Sequence, residues 1–174
     1  MGLDNGIYIK VHNKQMKQEL YHDLYSFMEY NAREDDEDFD FAYWRKCWNV
    51  RRALYDISEA TEDNNVSHYT FDSIDDLMTI VNWLTDQFTY DSEIEEISRQ
   101  EIDDEDNPNA IPDTCKWDRS YGHSYANSTI WSTREATGAN MRTIKQLTAL
   151  YVWLSCHSTY KLHIDYELCW YDSY

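Results

Sequence analysis

The residues best suited to bind a ligand lie in one aromatic and basic segment, residues 42–58. Its pattern predicts a helix, in which a three- or four-residue spacing aligns side chains along one side. One side would carry Trp44, Cys47, Trp48, Arg51 and Tyr55, and another would carry Arg45, Asn49 and Arg52. Aromatic rings stack on bases, and guanidinium groups bind phosphates through paired hydrogen bonds. The segment therefore predicts a nucleotide- or phosphate-binding site formed by Trp44, Arg45, Trp48, Arg51 and Arg52.

A strongly acidic run directly before this segment supports a different interpretation. Residues 34–40 contain six carboxylates in seven positions. Negative charge before the first turn of a helix is favourable because it interacts with the helix dipole. The same carboxylates can neutralise the basic residues that follow, with Trp44, Trp48 and Leu54 in the core. We favour internal neutralisation as the interpretation of this stretch and keep ligand binding as the alternative.

Other reactive residues match known sites only in part. Soft metal ligands occur at Cys156, His157, His163 and Cys169, in a spacing that fits no zinc-binding pattern. Three carboxylate pairs have the local ExxE or ExxD form that holds Mg²⁺ in helical nucleotide pyrophosphohydrolases, in a different order and separation: Glu59/Glu62, Glu93/Glu96 and Glu101/Asp104. The sequence contains no phosphate-binding glycine loop and no nucleophile motif. We therefore predict no cofactor, no metal and no catalytic residue, and keep a metal-dependent nucleotide hydrolase as an alternative.

The net charge of −18 is concentrated in one part of the chain. Residues 56–106 contain 17 acidic residues and one basic residue, Arg99, whereas the segments on either side are almost neutral. Such a surface repels nucleic acid and anionic membranes and attracts basic proteins. A purely solubilising role is the alternative, and the segregation of the charge argues against it.

Hydrophobic periodicity predicts most of the secondary structure. Alternation at residues 7–11 and again from Tyr160 to Tyr171 predicts two strands. Helical spacing predicts helices at residues 15–30, 42–58, 74–88, 92–99 and 140–155, the third behind a Ser73–Asp76 capping signal. The residue pattern predicts loops at residues 61–70 and 101–114, and a further strand near residues 127–132. These elements predict a single α+β domain over residues 1–174, in which a small antiparallel sheet joins the N- and C-terminal strands and packs against about four helices.

Targeting signals and membrane spans are not indicated by the sequence. No signal peptide is recognisable, and no apolar run approaches 18 residues. The four cysteines form no CxxC pair, and we expect reduced thiols. We therefore expect a cytoplasmic protein that contacts no membrane.

Three segments resemble a group of small phage and prophage proteins. They are MGLDNG at residues 1–6, YWRKCWNVR at residues 43–51, which is predicted to be helical, and the aromatic strand at residues 165–174. The group has no established activity, so the resemblance assigns no functional residue. It implies a phage gene product that acts in the cytoplasm of a bacterial host.

Charge and resemblance together predict a phage protein that binds and inhibits a host protein, for example one of anti-phage defence. Its negative surface would occupy a basic groove that normally holds nucleic acid, because carboxylates on a rigid helix can take the place of phosphates. The predicted contact residues are Asp75, Asp76, Asp86, Glu95, Glu96, Asp103, Asp104 and Asp106. A module or sponge for nucleotides or small ligands and the metal-dependent hydrolase remain as alternatives.

Overall fold

The first and last strands of the chain lie side by side in the middle of one antiparallel sheet. A computed structural model describes residues 4–29, 31–45, 47–63, 65–87, 117–118, 123–124 and 141–173. Strands β1 (Asp4–Val11), β2 (Asp38–Arg45), β3 (His68–Thr70) and β6 (Tyr166–Ser173) form the sheet in the order β2-β1-β6-β3. A separate two-residue pair joins β4 (Trp117–Asp118) to β5 (His123–Ser124).

Four helices accompany the sheet in the described part of the chain. They are α1 (Lys14–Leu24), followed by a 3-10 turn at Tyr25–Phe27, α2 (Trp48–Ile57), α3 (residues 75–87) and α4 (Met141–Cys156). The predicted α+β class is confirmed, with N- and C-terminal strands joined in one sheet.

One face of the sheet forms the core. Alternation places Ile7 and Ile9 of β1 beside Leu168 and Trp170 of β6, and all four are fully buried. Phe39 and Phe41 of β2 join this core, and the helices contribute Met16, Leu20, Leu54, Leu77, Ile80, Leu84, Leu147 and Leu150. The registers Ile7↔Ala42 and Tyr8↔Asp40 leave Phe41 as the extra residue of a β-bulge. These residues therefore form one apolar layer between sheet and helices.

Side-chain hydrogen bonds cap the first turns of α1 and α3 and explain why these helices begin where they do. Asn13 caps α1, because its side-chain oxygen accepts a hydrogen bond from the Met16 amide at 3.1 Å. Ser73 Oγ accepts from the Asp75 amide, and Asp76 accepts from the Ser73 amide at 3.2 Å, so the predicted capping signal forms with Asp in the usual Glu position. These caps fix the entry of α1 and α3 relative to the strands before them.

The predicted helix at residues 42–58 is wrong in its first part. Residues 42–45 belong to β2, and α2 begins only at Trp48. Aromatic residues at positions 39, 41, 43 and 44 favour a strand, and β1 supplies the hydrogen-bonding partner that a local pattern cannot show. The YWRKCWNVR segment is thus the end of a strand followed by the start of a helix.

Other boundaries also differ from the prediction. The C-terminal strand begins at Tyr166 and not at Tyr160, because Lys161 and Asp165 close a turn in which His163 has a φ of 66°. Helix α1 ends at Leu24, and the predicted loop at residues 61–70 contains β3. The predictions for residues 92–99, 101–114 and 127–132 lie outside the described residues.

Candidate functional site

Three distant segments of the sequence meet at one end of the sheet. Asp4, Asn5 and Gly6 pair with Arg45, Trp44 and Tyr43 on one side. On the other side they pair with Ser173, Asp172 and Tyr171. These are the same segments that carry the resemblance to phage proteins. We call this part of the molecule the sheet-end cluster, comprising Asn5, Trp44, Arg51, Tyr55, Tyr69 and Asp172.

Arg51 is the charged centre of the sheet-end cluster. Its Nε donates a hydrogen bond to Asp172 Oδ2 at 2.9 Å, and its Nη2 donates to Glu62 Oε1. The side chains of Arg51 and Asp172 are only 12% and 3% exposed, which makes this ion pair largely buried. The guanidinium carbon also lies 4.9 Å from the centroid of the Tyr55 ring. Arg51 therefore pairs with Asp172 and Glu62, whereas neutralisation of this segment by the acidic run 34–40 stays a prediction.

Aromatic rings hold the cluster against the core. Tyr69 stacks on Trp170 with centroids 4.3 Å apart, and Tyr55 contacts the same indole edge-on at 4.8 Å. The Tyr55 hydroxyl donates to Asp172 Oδ2 at 2.9 Å and lies 2.8 Å from the Tyr69 hydroxyl. Burial, and then the hydrogen bonds to Tyr69 and Asp172, raise the pKa of Tyr55 well above its ordinary value. Tyr55 therefore stays protonated and acts as a hydrogen-bond donor to the carboxylate.

The residues predicted to bind a nucleotide do not share one helix face. Trp44 is buried on β2 at 3% exposure, and its neighbour Arg45 is exposed. Successive residues of a strand point to opposite faces, so Trp44 and Arg45 diverge. Arg51 and Arg52 lie on α2, where Arg51 binds Asp172 and Arg52 is exposed. Trp48 begins α2, and its side chain is outside the described part. The structure therefore brings Trp44 and Arg51 to the same end of the sheet, but without the stacking face that a helix would provide.

Helix α3 carries the described part of the predicted acidic contact set. Asp75 and Asp86 are exposed, and 11 residues correspond to about three turns, so both lie on one side roughly 16 Å apart along the axis. Asp76 is half-buried and caps the helix, and burial is the main cause that raises its pKa. Asp75 also accepts a hydrogen bond from the Tyr151 hydroxyl at 3.2 Å. Asp76 thus has a local structural role. Asp86 and Asp75 are exposed to solvent, although one carboxylate oxygen of Asp75 is bonded to Tyr151.

Other described carboxylates of residues 56–106 are also exposed. Asp56, Glu59 and Asp63 are exposed, and the Asp72 side chain is 93% exposed with His163 Nε2 at 3.8 Å. The remaining predicted contact residues lie outside the described residues: Glu95, Glu96, Asp103, Asp104 and Asp106. The described portion of residues 56–106 therefore presents its carboxylates mainly to solvent.

Sequence analysis did not predict a groove between α1 and α4. The groove has a volume of about 640 Å³ and is mainly apolar, with Leu24, Phe27 and Val152 among its walls. The Trp153 and His157 rings stack at 3.9 Å along it, and Trp153 Nε1 donates to Asp23 at 2.9 Å. The helical spacing of these residues predicts only a face that packs on the core. The groove becomes visible only when the packing of α1 against α4 is known, because that packing leaves part of the face uncovered.

Metal binding and membrane insertion find no support in the described residues. In this part of the chain, no group of three or more His, Cys, Asp or Glu side chains is arranged to hold a metal ion. Of the predicted carboxylate pairs, Glu59 and Glu62 are described, and Glu62 binds Arg51. Among the same residues, no helix combines the length and the apolar character needed to cross a bilayer.

Comparisons with known proteins assign no function to the chain. No protein-family model, no curated protein and no solved structure matches the chain. The features that can support a function are therefore the buried sheet-end cluster, the exposed acidic surface and the apolar groove.

Proposed function

We propose that the chain is an acidic binding protein whose central segment, residues 56–106, recognises a basic surface on a partner protein. The observation that carries this proposal is the concentration of charge, because this segment holds 17 acidic residues and one basic residue. Most described carboxylates of the segment are exposed, so the charge is available to a partner. A field of one sign over one region accelerates the association with a partner of opposite sign.

The geometry of α3 fits a partner that normally binds nucleic acid. Asp75 and Asp86 project from one side of a capped helix that packs on the core through Leu77, Val81 and Leu84. A helix held in this way presents charges at fixed spacing, as a nucleic-acid backbone does, and loses little conformational entropy on binding. The protein would then occupy the basic groove of its partner and prevent nucleic acid from entering it.

The biological setting of the proposal comes from the sequence resemblance. The resemblance implies a phage gene product that acts in the bacterial cytoplasm, which makes a host protein the natural partner. A host protein that binds nucleic acid, including one of anti-phage defence, has the basic surface that the acidic segment requires. Inhibition by competition needs no catalytic residue in the phage protein.

Two variants with the same net charge test this proposal. Glu95→Gln/Glu96→Gln/Asp103→Asn removes three charges from the central segment, and Glu34→Gln/Asp35→Asn/Glu37→Gln removes three exposed charges from outside it. Tagged wild-type protein and both variants are used to capture partners from a nuclease-treated bacterial lysate at increasing salt. Each captured protein is then purified, and its nucleic-acid binding is measured with and without the phage protein.

We expect the wild type and the control variant to bind one nucleic-acid-binding protein and to displace its nucleic acid. The central-segment variant should lose at least tenfold in affinity at about 0.15 M salt, since ion pairs across a basic groove act at short range under that screening. Equal affinity of all three proteins would contradict the role of the central segment. Equal weakening of both variants would show that total charge, and not its position, determines binding.

The groove between α1 and α4 supports small-ligand binding as a second candidate function. Its volume and apolar walls fall in the range of ligand-binding pockets, and the His157 ring, which stacks on the buried Trp153 indole, lines it. A thermal-shift screen with nucleotides and planar metabolites, repeated with Val152→Arg to fill the groove, tests this candidate. A shift that disappears in the variant would support it, and no shift with any compound would remove it.

A further inference from the structure

Two buried polar side chains at the sheet end, Asn5 and Asp172, carry polar atoms without hydrogen-bond partners. Asn5 is fully buried and Asp172 is 5% exposed. Both polar atoms of the Asn5 amide, Nδ2 and Oδ1, lack a protein partner, and so does Asp172 Oδ1. The other oxygen of Asp172 already accepts hydrogen bonds from Arg51 and Tyr55. Three polar atoms are therefore left unpaired in the interior, where such atoms are nearly always paired.

The strand register places the Asn5 and Asp172 side chains next to each other on one face of the sheet. Asn5 and Asp172 are direct partners across β1 and β6. The Asp172 amide donates to Ser67 O, away from β1, so the two residues form a non-hydrogen-bonded pair, with Cα atoms about 4.5 Å apart. Directly opposed side chains point to the same face of the sheet. A molecule of one or two heavy atoms between them can reach both side chains.

The donors and acceptors at this place match water better than they match an ion. The site offers two acceptors, Asn5 Oδ1 and Asp172 Oδ1, and the Asn5 Nδ2 donor. A cation would meet the amide donor and the nearby guanidinium of Arg51, and an anion would meet the Asp172 carboxylate. Water donates two hydrogen bonds and accepts two, so it can satisfy all three atoms.

We propose that the sheet-end cluster contains an internal water-binding site formed by Asn5 and Asp172. The bound water donates to the free oxygen of Asp172 and to the amide oxygen of Asn5, and accepts from the amide nitrogen. It connects β1 to the hydrogen-bonded group of Asp172, Arg51 and Tyr55. This water occupies Asp172 Oδ1, so that Asp172 Oδ2 stays directed at Arg51. The inference is independent of the partner-binding function proposed above.

A crystal structure of the full chain at high resolution gives the direct test. We expect one ordered water oxygen at about 2.6–3.2 Å from the Asn5 amide and from Asp172 Oδ1. A direct hydrogen bond between Asn5 and Asp172, with no ordered water between them, would overturn the proposal. Because it requires only the wild-type protein, this test does not depend on the folding of a variant.

The melting temperature of Asn5→Leu tests the same proposal in solution. Leucine has a similar size but cannot bind water, so a bridged Asp172 oxygen would lose its partner and the melting temperature would fall. Without a bound water, the same change only removes unpaired polar atoms from the interior, and the melting temperature would rise. Asn82→Leu, at an exposed position of α3, controls for the change of residue type. A rise in Asn5→Leu relative to this control would contradict the proposal.

Discussion

The sheet-end cluster and the acidic surface of α3 use charge in opposite ways. In the sheet-end cluster, Arg51 and Asp172 are largely buried and bind each other at 2.9 Å. On α3, Asp86 is exposed and Asp75 points its carboxylate toward the surface beside Tyr151. A buried charge needs its partner because water no longer solvates it, whereas an exposed charge is solvated and remains available. The comparison indicates that the fold depends on the pairing in the first region, whereas the second region leaves its charges accessible.

The largest effect is expected when the buried pair is broken. Arg51→Met should lower the free energy of unfolding by about 3–5 kcal/mol, because it leaves Asp172 buried without its cation. Arg52→Met, at the exposed neighbouring position, is the matched control and should change it by less than about 1 kcal/mol. Urea unfolding of both variants measures the difference. If both variants lose the same amount, burial does not distinguish the two kinds of charge in this protein.

An intermediate effect is expected at Asp40, which lies half-buried on β2. Burial, and then the nearby charges of Asp38 and Glu29, raise the pKa of Asp40 to about 6. A carboxyl with a raised pKa in the folded state contributes stability that is complete below the ordinary pKa of about 3.8 and is lost as the pH rises through about 6. Because solvent screens a half-buried group, the loss should be on the order of 1 kcal/mol.

The variant Asp40→Asn cannot titrate at this position, so comparing its stability with that of the wild type isolates the contribution of Asp40. Relative to the wild type, its stability should increase as the pH is raised from 4 to 7, since the amide has no proton to release. Thermal unfolding across this pH range measures the relative change. A constant difference between the two proteins over the range would show that Asp40 titrates in the same way in the folded and unfolded chain.

The smallest effect on stability is expected on α3. Asp75→Asn/Asp86→Asn should change the free energy of unfolding by no more than about 0.5 kcal/mol, because both positions are exposed. The same variant should bind a basic partner more weakly. Weaker binding without a loss of stability would show that these two carboxylates act in recognition and not in folding. A loss of stability comparable to that of Arg51→Met would place these carboxylates among the structural charges.

Local patterns predicted the parts of the fold whose periodicity is strong. The alternation of Ile7, Ile9 and Val11 and the apolar stripe Leu77, Val81 and Leu84 appear in the structure as expected. The segment around Trp44 has the pattern of a helix face, because its tryptophan and arginine residues recur at three- and four-residue spacing. Its strand conformation depends on pairing with β1, about 40 residues away, and on a bulge at Phe41. Pairing over such a distance leaves no local signal.

The site was predicted less completely than the fold, for a similar reason. The sequence identifies Arg51 as a charged residue of interest, but its partner Asp172 lies 121 residues away. Asn5 lies in the MGLDNG segment and becomes notable only because the strand register places it opposite Asp172. Exposed acidic residues such as Asp86 were easier to predict, since a surface charge needs no specific partner.

The pairing of β1 with β6 also determines when the protein can fold. These central strands are about 160 residues apart in the chain, so the β1–β6 and β6–β3 pairings have to wait until β6 is synthesised. At ribosomal rates of about 5–20 residues per second, β1 can pair with β2 early but lacks its β6 partner for roughly 8–32 s. During this interval its apolar residues, Ile7 and Ile9, have no sheet partner in β6. The acidic segment is synthesised in the same interval, and its negative charge would keep the nascent chains apart until the sheet can close.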